Sequence, residues 1–234
     1  MTGMRRFSII VPVLDEAAGI ARALGALQPL RAAGAEVVVV DGGSGDGTVS
    51  RARAFADQVV EAPRGRALQM NAGAAASRGA TLVFLHADTR LPPGALEAIE
   101  SGLARSQRRW GRFDVAIAGA DPKLAVVAMA MNARSRWTGI ATGDQAIFCT
   151  REAFGAAGGY PAIPLMEDIA LSRALRRGGR PLCLRERVVT SGRRWERNGT
   201  LRTVLLMWRL RLAYFLGADP ARLARLYGAE RTSS

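Results

Sequence analysis

A chain of 234 residues can bury a full core as one domain, and its 33 basic against 20 acidic residues leave a formal net charge of +13. It contains no apolar stretch of about 18 residues, and Met1–Arg6 runs straight into an apolar strand, so neither a signal peptide nor a spanning helix is expected and the protein should be cytoplasmic. Its two cysteines, Cys149 and Cys183, exclude a disulfide framework and lack metal-site spacing, which predicts reduced, buried thiols.

The basic excess is uneven: residues 151–234 carry 16 basic and 7 acidic side chains. Nucleic acid, anionic lipid or a phosphorylated substrate would each be drawn there. A solvated, arginine-rich surface is the other reading, since Lys123 is the only lysine.

In chain order, Phe7-Ser8-Ile9-Ile10-Val11-Pro12-Val13 is an apolar, β-branched run that predicts the first strand. Leu14-Asp15-Glu16 then opens a helix that continues through Ala21, Leu24 and Leu27 until Pro29 ends it. Acids in a first helical turn also complement the dipole, so Asp15 and Glu16 have a purely structural reading. The second strand is Glu36–Asp41, whose four consecutive valines suit a parallel sheet covered on both faces. Gly42-Gly43-Ser44-Gly45-Asp46-Gly47-Thr48 follows as a tight loop that lets a ligand approach the backbone, before a helix from Val49 to Ala56. It has neither the spacing of a Walker loop nor that of a dinucleotide fingerprint.

Gln58–Glu61 predicts a short third strand, and Arg64-Gly65-Arg66 leads into a helix from Ala67 to Ser77 as an anion site. Thr81–Leu85 is the fourth strand, which delivers His86-Ala87-Asp88 where the chain leaves the sheet. A lone acid there suits a divalent cation shared with phosphates, while capping of the next helix is the structural alternative. Four strands and three helices in so short a span predict right-handed βαβ units and a largely parallel sheet.

A helix near Gly94–Ala104 follows, then an edge strand over Gly111–Ala118 and a helix over Pro122–Arg136 with Leu124, Val127, Ala128 and Met131 on its apolar face. Gly143-Asp144-Gln145 is a polar loop entering a strand that reaches Cys149, and Arg151–Ala157 a short helix before the turn Gly158–Pro161. Leu165–Leu175 forms a helix with Glu167 and Asp168 in its first turn. Paired acids beside a cleft suit proton abstraction; acids that satisfy orphan amides are the alternative. Ser191–Thr200 precedes a helix, Leu201–Leu216, whose apolar residues and Arg202, Arg209 and Arg211 fit either packing on the domain or lying on an anionic bilayer surface.

With these residues in place, the chain resembles glycosyltransferase family 2, the inverting transferases of GT-A fold that use nucleotide-diphosphate sugars. The likeness rests on five blocks in order: Val11–Glu16, Val40–Thr48, Arg64-Gly65-Arg66 with Asn71-Ala72-Gly73, His86-Ala87-Asp88, and Glu167-Asp168. It implies an α/β, Rossmann-like fold with a mostly parallel central sheet flanked by helices, and C-terminal helices. One GT-A domain over residues 1–234 is implied, with a nucleotide-sugar half (1–110), an acceptor half (111–200) and terminal helices (201–234).

Residue by residue, the resemblance implies that Pro12, Val13, Asp15, Glu16, Asp41, Gly43, Arg66, Ala87 and Asp88 hold the donor. It makes Asp88, with His86 as a further ligand, the site of Mn2+ or Mg2+, and Asp168 beside Glu167 the catalytic base. Asp144, Gln145, Arg193, Arg194 and Trp195 would meet the diphosphate and the acceptor. Two positions depart from the family pattern: Gly42 follows Asp41 where a second acid is usual, and His86, the single histidine, replaces the first acid of D-x-D. The imidazole could ligate the metal or simply pack beside the site.

Thr190–Trp195 and Leu226-Tyr227 are similar to a small bacterial subgroup associated with arsenosugar biosynthesis, which implies a small-molecule acceptor. A metal-dependent transferase using a UDP-sugar is thus the leading expectation, with a small-molecule or polyprenyl acceptor and peripheral contact with anionic membrane on the cytoplasmic face. The alternatives are a catalytically weak nucleotide-sugar-binding protein, and a peripheral membrane or nucleic-acid binder. Nucleic acid is disfavoured because aromatics are few and not interleaved with the basic residues.

Overall fold

The computed structural model describes residues 6–232, apart from the side chains of Arg194 and of residues 228–232. Eight strands form one sheet: β1 (Phe7–Val13), β2 (Glu36–Asp41), β3 (Gln58–Glu61), β4 (Thr81–Phe84), β5 (Thr89–Arg90), β6 (Trp110–Ala118), β7 (Phe148–Thr150) and β8 (Leu182–Ser191), in the order β3-β2-β1-β4-β7-β6-β8-β5. The pairs β1–β2, β1–β4, β2–β3 and β6–β8 are parallel; β7 runs antiparallel to β4 and β6, and β5 antiparallel to β8. That topology puts the carboxyl ends of β1, β2, β3, β4, β6 and β8 on one edge. The loop entering β7 emerges there too, so every predicted site segment meets on a single rim.

The valine run explains the left half of the sheet. Val37 and Val39 join Ile9, Val11, Ile20, Leu24 and Ile99 on one face, while Val38 and Val40 join Ile10, Met70, Phe84, Tyr160 and Leu171 on the other. A strand whose side chains alternate into two buried layers must be apolar at every position, as this one is. Helices α1 (Ile20–Gly25) and α5 (Ala95–Ser106) contribute to the first layer; α4 (Arg66–Ala76) and α8 (Glu167–Arg177) close the second. A third cluster of Ile140, Leu165, Met166, Ile169, Leu210 and Leu223 joins α8 to α10 (Thr200–Phe215) and α11 (Pro220–Thr232).

Four expectations are corrected. The first helix starts at Ile20, not Leu14, because Asp15 takes φ 53° and residues 14–19 form a loop tied to the second one. Pro29 lies in the first turn of α2 (Gln28–Ala32), where its missing N–H is harmless, rather than ending a helix. Strand β6 is interior, between β7 and β8. Strand β8 itself has no counterpart in the sequence reading: its register slips between Phe113 and Asp114, leaving Arg185 and Glu186 without partners on β6, so the charged triplet Arg185–Arg187 interrupts the apolar alternation. Of the two thiols Cys149 is buried, but Cys183 is only partly so; both are free.

The remaining helices are α3 (Thr48–Ala52), α6 (Lys123–Thr138), α7 (Arg151–Ala156) and α9 (Arg193–Asn198). Gly111 leaves no room for a side chain: a Cβ there would overlap the Leu182 carbonyl and the Phe148 ring. Because one obstacle is backbone, Gly111→Ala is expected to destabilise by about 2–4 kcal/mol, read as the shift of the urea unfolding midpoint.

Candidate active site

At the β1–β2 end of the rim, the loops after β1 and β2 are stitched into one surface. The Asp15 N–H donates to Ser44 Oγ (2.9 Å), and Asp15 Oδ1 accepts from the Gly45 N–H (3.0 Å). The Glu16 N–H donates to Thr48 Oγ1 (2.8 Å), and Asp46 accepts from the N–H of Ala17 (3.0 Å) and of Thr48 (3.0 Å). Asp41 is buried, and its carboxylate holds the turn by accepting from the Gly43 and Ser44 N–H groups (both 2.9 Å) and from Ser44 Oγ (2.5 Å). Beside it lies an open cavity of about 600 Å3, lined by Asp41, Gly43, Ser44, Val49, Glu61, Ala62 and Pro63. That volume suits a small-molecule site.

The Gly42 departure has a physical cause. Gln69, on α4, donates through Nε2 to the carbonyls of Val13 (2.8 Å) and Val40 (2.9 Å), and a Cβ at position 42 would stand 3.0 Å from its Cδ. The buried amide takes the space a second acid would need. Pro12, half-buried, and Val13, buried, end β1 directly behind this turn.

Further along the rim, β4 delivers His86, Ala87 and Asp88. Asp88 is exposed and next to β5, where Thr89 Oγ1 and Thr190 Oγ1 are 3.0 Å apart, so the end of β8 and Arg193 are brought alongside it. The Glu16 carboxyl is raised above the ordinary carboxylate range by burial and by the Asp88 charge, with Arg193 opposing. Glu16, Asp88 and Arg193 therefore share one electrostatic neighbourhood, although they lie far apart in sequence. Arg193 is exposed, with Nε 3.1 Å from Ser191 Oγ, and Trp195 is half-buried. The predicted role of Arg194 falls on a side chain outside the described residues.

The His86 ring packs against Gly143, where a Cβ would collide with it, and Nδ1 stands 3.4 Å from Asp144 Oδ1. One ring nitrogen is thus turned toward Asp144. Gln145 faces inward: fully buried, it accepts from the Thr142 N–H (3.2 Å) and donates to Ser135 Oγ (3.2 Å), which fixes the loop rather than lining the cleft.

Glu167 and Asp168 open α8 after Met166, whose φ of 68° is unusual for a residue with a side chain. Asp15, Ala146 and Met166 all have such positive φ and all flank this rim, as strain concentrated at a functional site would. Asp168 is half-buried, with Oδ2 accepting from the Gly143 N–H (2.9 Å) and Oδ1 from its neighbour Ile169 (2.7 Å). Burial pushes the Asp168 carboxyl up, against the pull of those two N–H groups and of His86. Glu167 is 6 % exposed, and burial together with the Asp168 charge raises it to about 7, with exposed Arg66 opposing.

One residue escaped the sequence reading. Arg134, on α6, feels the charges of Asp168 and Asp144; burial lowers its pKa, and its Nε and Nη2 are buried without hydrogen-bond partners. An arginine three residues after Met131, on the inward side of the helix, was the signal that could have found it.

The family model for glycosyl transferase family 2 matches residues 8–109. Among solved structures, TarS of S. aureus is similar at 16 % identity with a TM-score of 0.61, covering 80 % of this chain and 60 % of that one. The mannosyltransferase PcManGT of Pyrobaculum calidifontis, in complex with GDP-Man and Mn2+, is 25 % identical with a TM-score of 0.59, covering 80 % and 57 %. Glucosyl-3-phosphoglycerate synthase of Mycobacterium tuberculosis, with Mn2+ and UDP, is 19 % identical with a TM-score of 0.57, covering 80 % and 71 %. None of the curated proteins matches the chain by sequence. The chain spans about 60 % of the length of the TarS and PcManGT chains. The mostly parallel sheet flanked by helices is the GT-A fold.

Proposed function

We propose that this chain is a family 2 glycosyltransferase which moves a sugar from a nucleotide-diphosphate donor, a UDP-sugar, to a hydroxyl acceptor with inversion. The observation that carries this is the raised, half-buried Asp168, fixed by the Gly143 N–H on the same rim as the Asp41 cavity and exposed Asp88. The GDP-Man complex of PcManGT and the family match over residues 8–109 support it.

In this reading the chain is one unit, whose first half binds the donor. The base and ribose occupy the cavity beside Asp41 and Gly43, next to the end of β1 at Pro12 and Val13 and to Asp15, whose loop is tied to Ser44 and Gly45. Arg66 and Arg193 attract the diphosphate from opposite sides of the rim, and the Trp195 ring offers an apolar face to a sugar. Asp168 takes the proton of the acceptor hydroxyl as that oxygen attacks the anomeric carbon from the side opposite the diphosphate. Glu167 stands beside Asp168 and is itself raised by the Asp168 charge, so Asp168 ionises first while Glu167 still holds its proton. His86 positions the loop that supplies the Gly143 N–H, through its contact with Asp144.

The donor set fits a divalent cation shared with the diphosphate. Glu16 and Asp88 are mutually repelling acids at an open edge, yet among the described residues no group of three or more His, Cys, Asp or Glu could hold a metal alone. Asp88 would hold Mn2+ or Mg2+, and the diphosphate oxygens would complete the shell. Such an ion supplies charge neutralisation on the departing diphosphate. The likeness to the arsenosugar-associated subgroup favours a small-molecule acceptor.

The test is a donor-binding panel by calorimetry, with UDP-, GDP- and dTDP-sugars, with Mn2+, Mg2+ or chelator. UDP-sugar binding should strengthen with metal, and Asp88→Ala should weaken the metal-dependent part by at least about tenfold. Absence of donor binding under every metal condition would remove the transferase reading.

A further inference from the structure

We infer that the outward face of α10, together with a second stripe on α6, is a docking surface for an anionic lipid bilayer. Helix α10 turns Thr203 and Leu210 inward and leaves Leu201, Leu205, Trp208, Leu212, Phe215 and Leu216 exposed. From Leu201 to Phe215 the spacing of four, three, four and three residues keeps them on one side along the whole helix, and Leu216 follows at its C-cap. Trp208 is 70 % exposed. On α6, which packs beside α10, Val126, Met129 and Trp137 recur on one side, and Trp137 is 90 % exposed. A monomer seldom leaves so continuous an apolar surface in water.

Charge decides what covers it. Arg202 and Arg209 are exposed on the flank of the α10 stripe, and exposed Arg197, Arg222 and Arg225 lie on the adjoining α9 and α11. From Arg197 to Tyr227 the single acidic residue is Asp219. A second copy of the chain would bring like-charged arginine rows together under a net charge of +13 each, whereas an anionic surface neutralises them. Apolar residues with tryptophans on one side and arginines at the rim are the pattern of a helix lying in the headgroup plane. No helix of the described residues is long and apolar enough to cross a membrane, so contact would be peripheral.

This inference does not depend on the transferase reading, because it uses none of the rim residues. It is tested by sedimenting the whole chain with vesicles of phosphatidylcholine alone, or of phosphatidylcholine with phosphatidylglycerol, at low and high salt. The chain should pellet with the anionic vesicles at low salt, be released by high salt, and stay in solution with neutral ones. Arg202→Gln with Arg209→Gln should weaken partitioning about fivefold for each arginine removed. Leu205→Ser with Leu212→Ser should abolish pelleting; both side chains are exposed, so an unchanged circular dichroism melt shows that the fold is intact. The inference is overturned if the chain stays in solution with anionic vesicles at low salt, or pellets equally with neutral ones. It is also overturned if light scattering finds a dimer that the leucine substitutions dissolve, which would assign the face to a second copy.

Discussion

Asp168→Asn is expected to lower sugar transfer by about 10²–10⁴-fold while leaving donor affinity nearly unchanged. The carboxylate is held between two N–H donors, Gly143 at 2.9 Å and Ile169 at 2.7 Å, and the amide oxygen can keep one of them. The amide cannot accept the hydroxyl proton, and its NH2 meets the other N–H donor to donor, so that anchor is lost. Asp168→Glu should recover little, because the extra methylene displaces the oxygens from the Gly143 N–H. Single-turnover transfer or slow donor hydrolysis measures the rate, and calorimetry with the donor separates binding from chemistry. Unchanged turnover in Asp168→Asn would pass the role of base to another group.

Glu167→Gln should change stability in a pH-dependent way. Burial and the Asp168 charge raise Glu167 from 4.5 to about 7, so the folded state binds this proton more tightly than the unfolded chain does. Stability from the protonated carboxyl is therefore full below the ordinary value and is lost as pH rises toward about 7. Above that, keeping Glu167 ionised and 6 % exposed costs about 3 kcal/mol. Replacement by the neutral isostere should raise Tm at mildly alkaline pH and have little effect in mild acid. Thermal melts across that range check it; a pH-independent gap would mean that Glu167 does not titrate there.

Because the Asp168 charge raises Glu167, Asp168 ionises first, beside a neighbour that is still neutral. Glu167→Gln should therefore leave the acidic limb of the transfer rate where it is, which a pH–rate profile of the variant checks.

The strands at 7–13, 36–41 and 81–84 were legible because each is a mostly apolar run bounded by turn residues and buried on both faces, and the edge strand 58–61 from its Val59-Val60 pair between turn signals. The short helix Arg151–Ala156 and the acids opening α8 were legible from their caps and periodicity. Strand β8 was not, since a two-residue slip against β6 spoils its alternation. The position of β6 was not either: whether a strand is central or peripheral depends on which later segment pairs with it. The first helix was misplaced because a positive φ at Asp15 is set by contacts with Ser44 and Gly45, about thirty residues away, as their hydrogen bonds show.

By itself the sequence determined which chemical groups the rim carries and on which segments: the glycine-rich turn after Asp41, the lone exposed acid at Asp88, and the pair Glu167–Asp168. These follow from local rules, since a strand end, a tight turn and a helix start are each written within a few residues. The tertiary structure alone decided what each group faces. It set His86 against Asp144, turned Gln145 into the interior, placed Glu16 within the field of Asp88, and left Nε and Nη2 of Arg134 without hydrogen-bond partners within the field of Asp168. It also decided which side of α10 remains uncovered, because that helix is apolar nearly all round and only its packing on α8 and α11 selects a face. Electrostatic and packing relations between segments distant in sequence have no period along the chain, so folding has to bring them together before they exist.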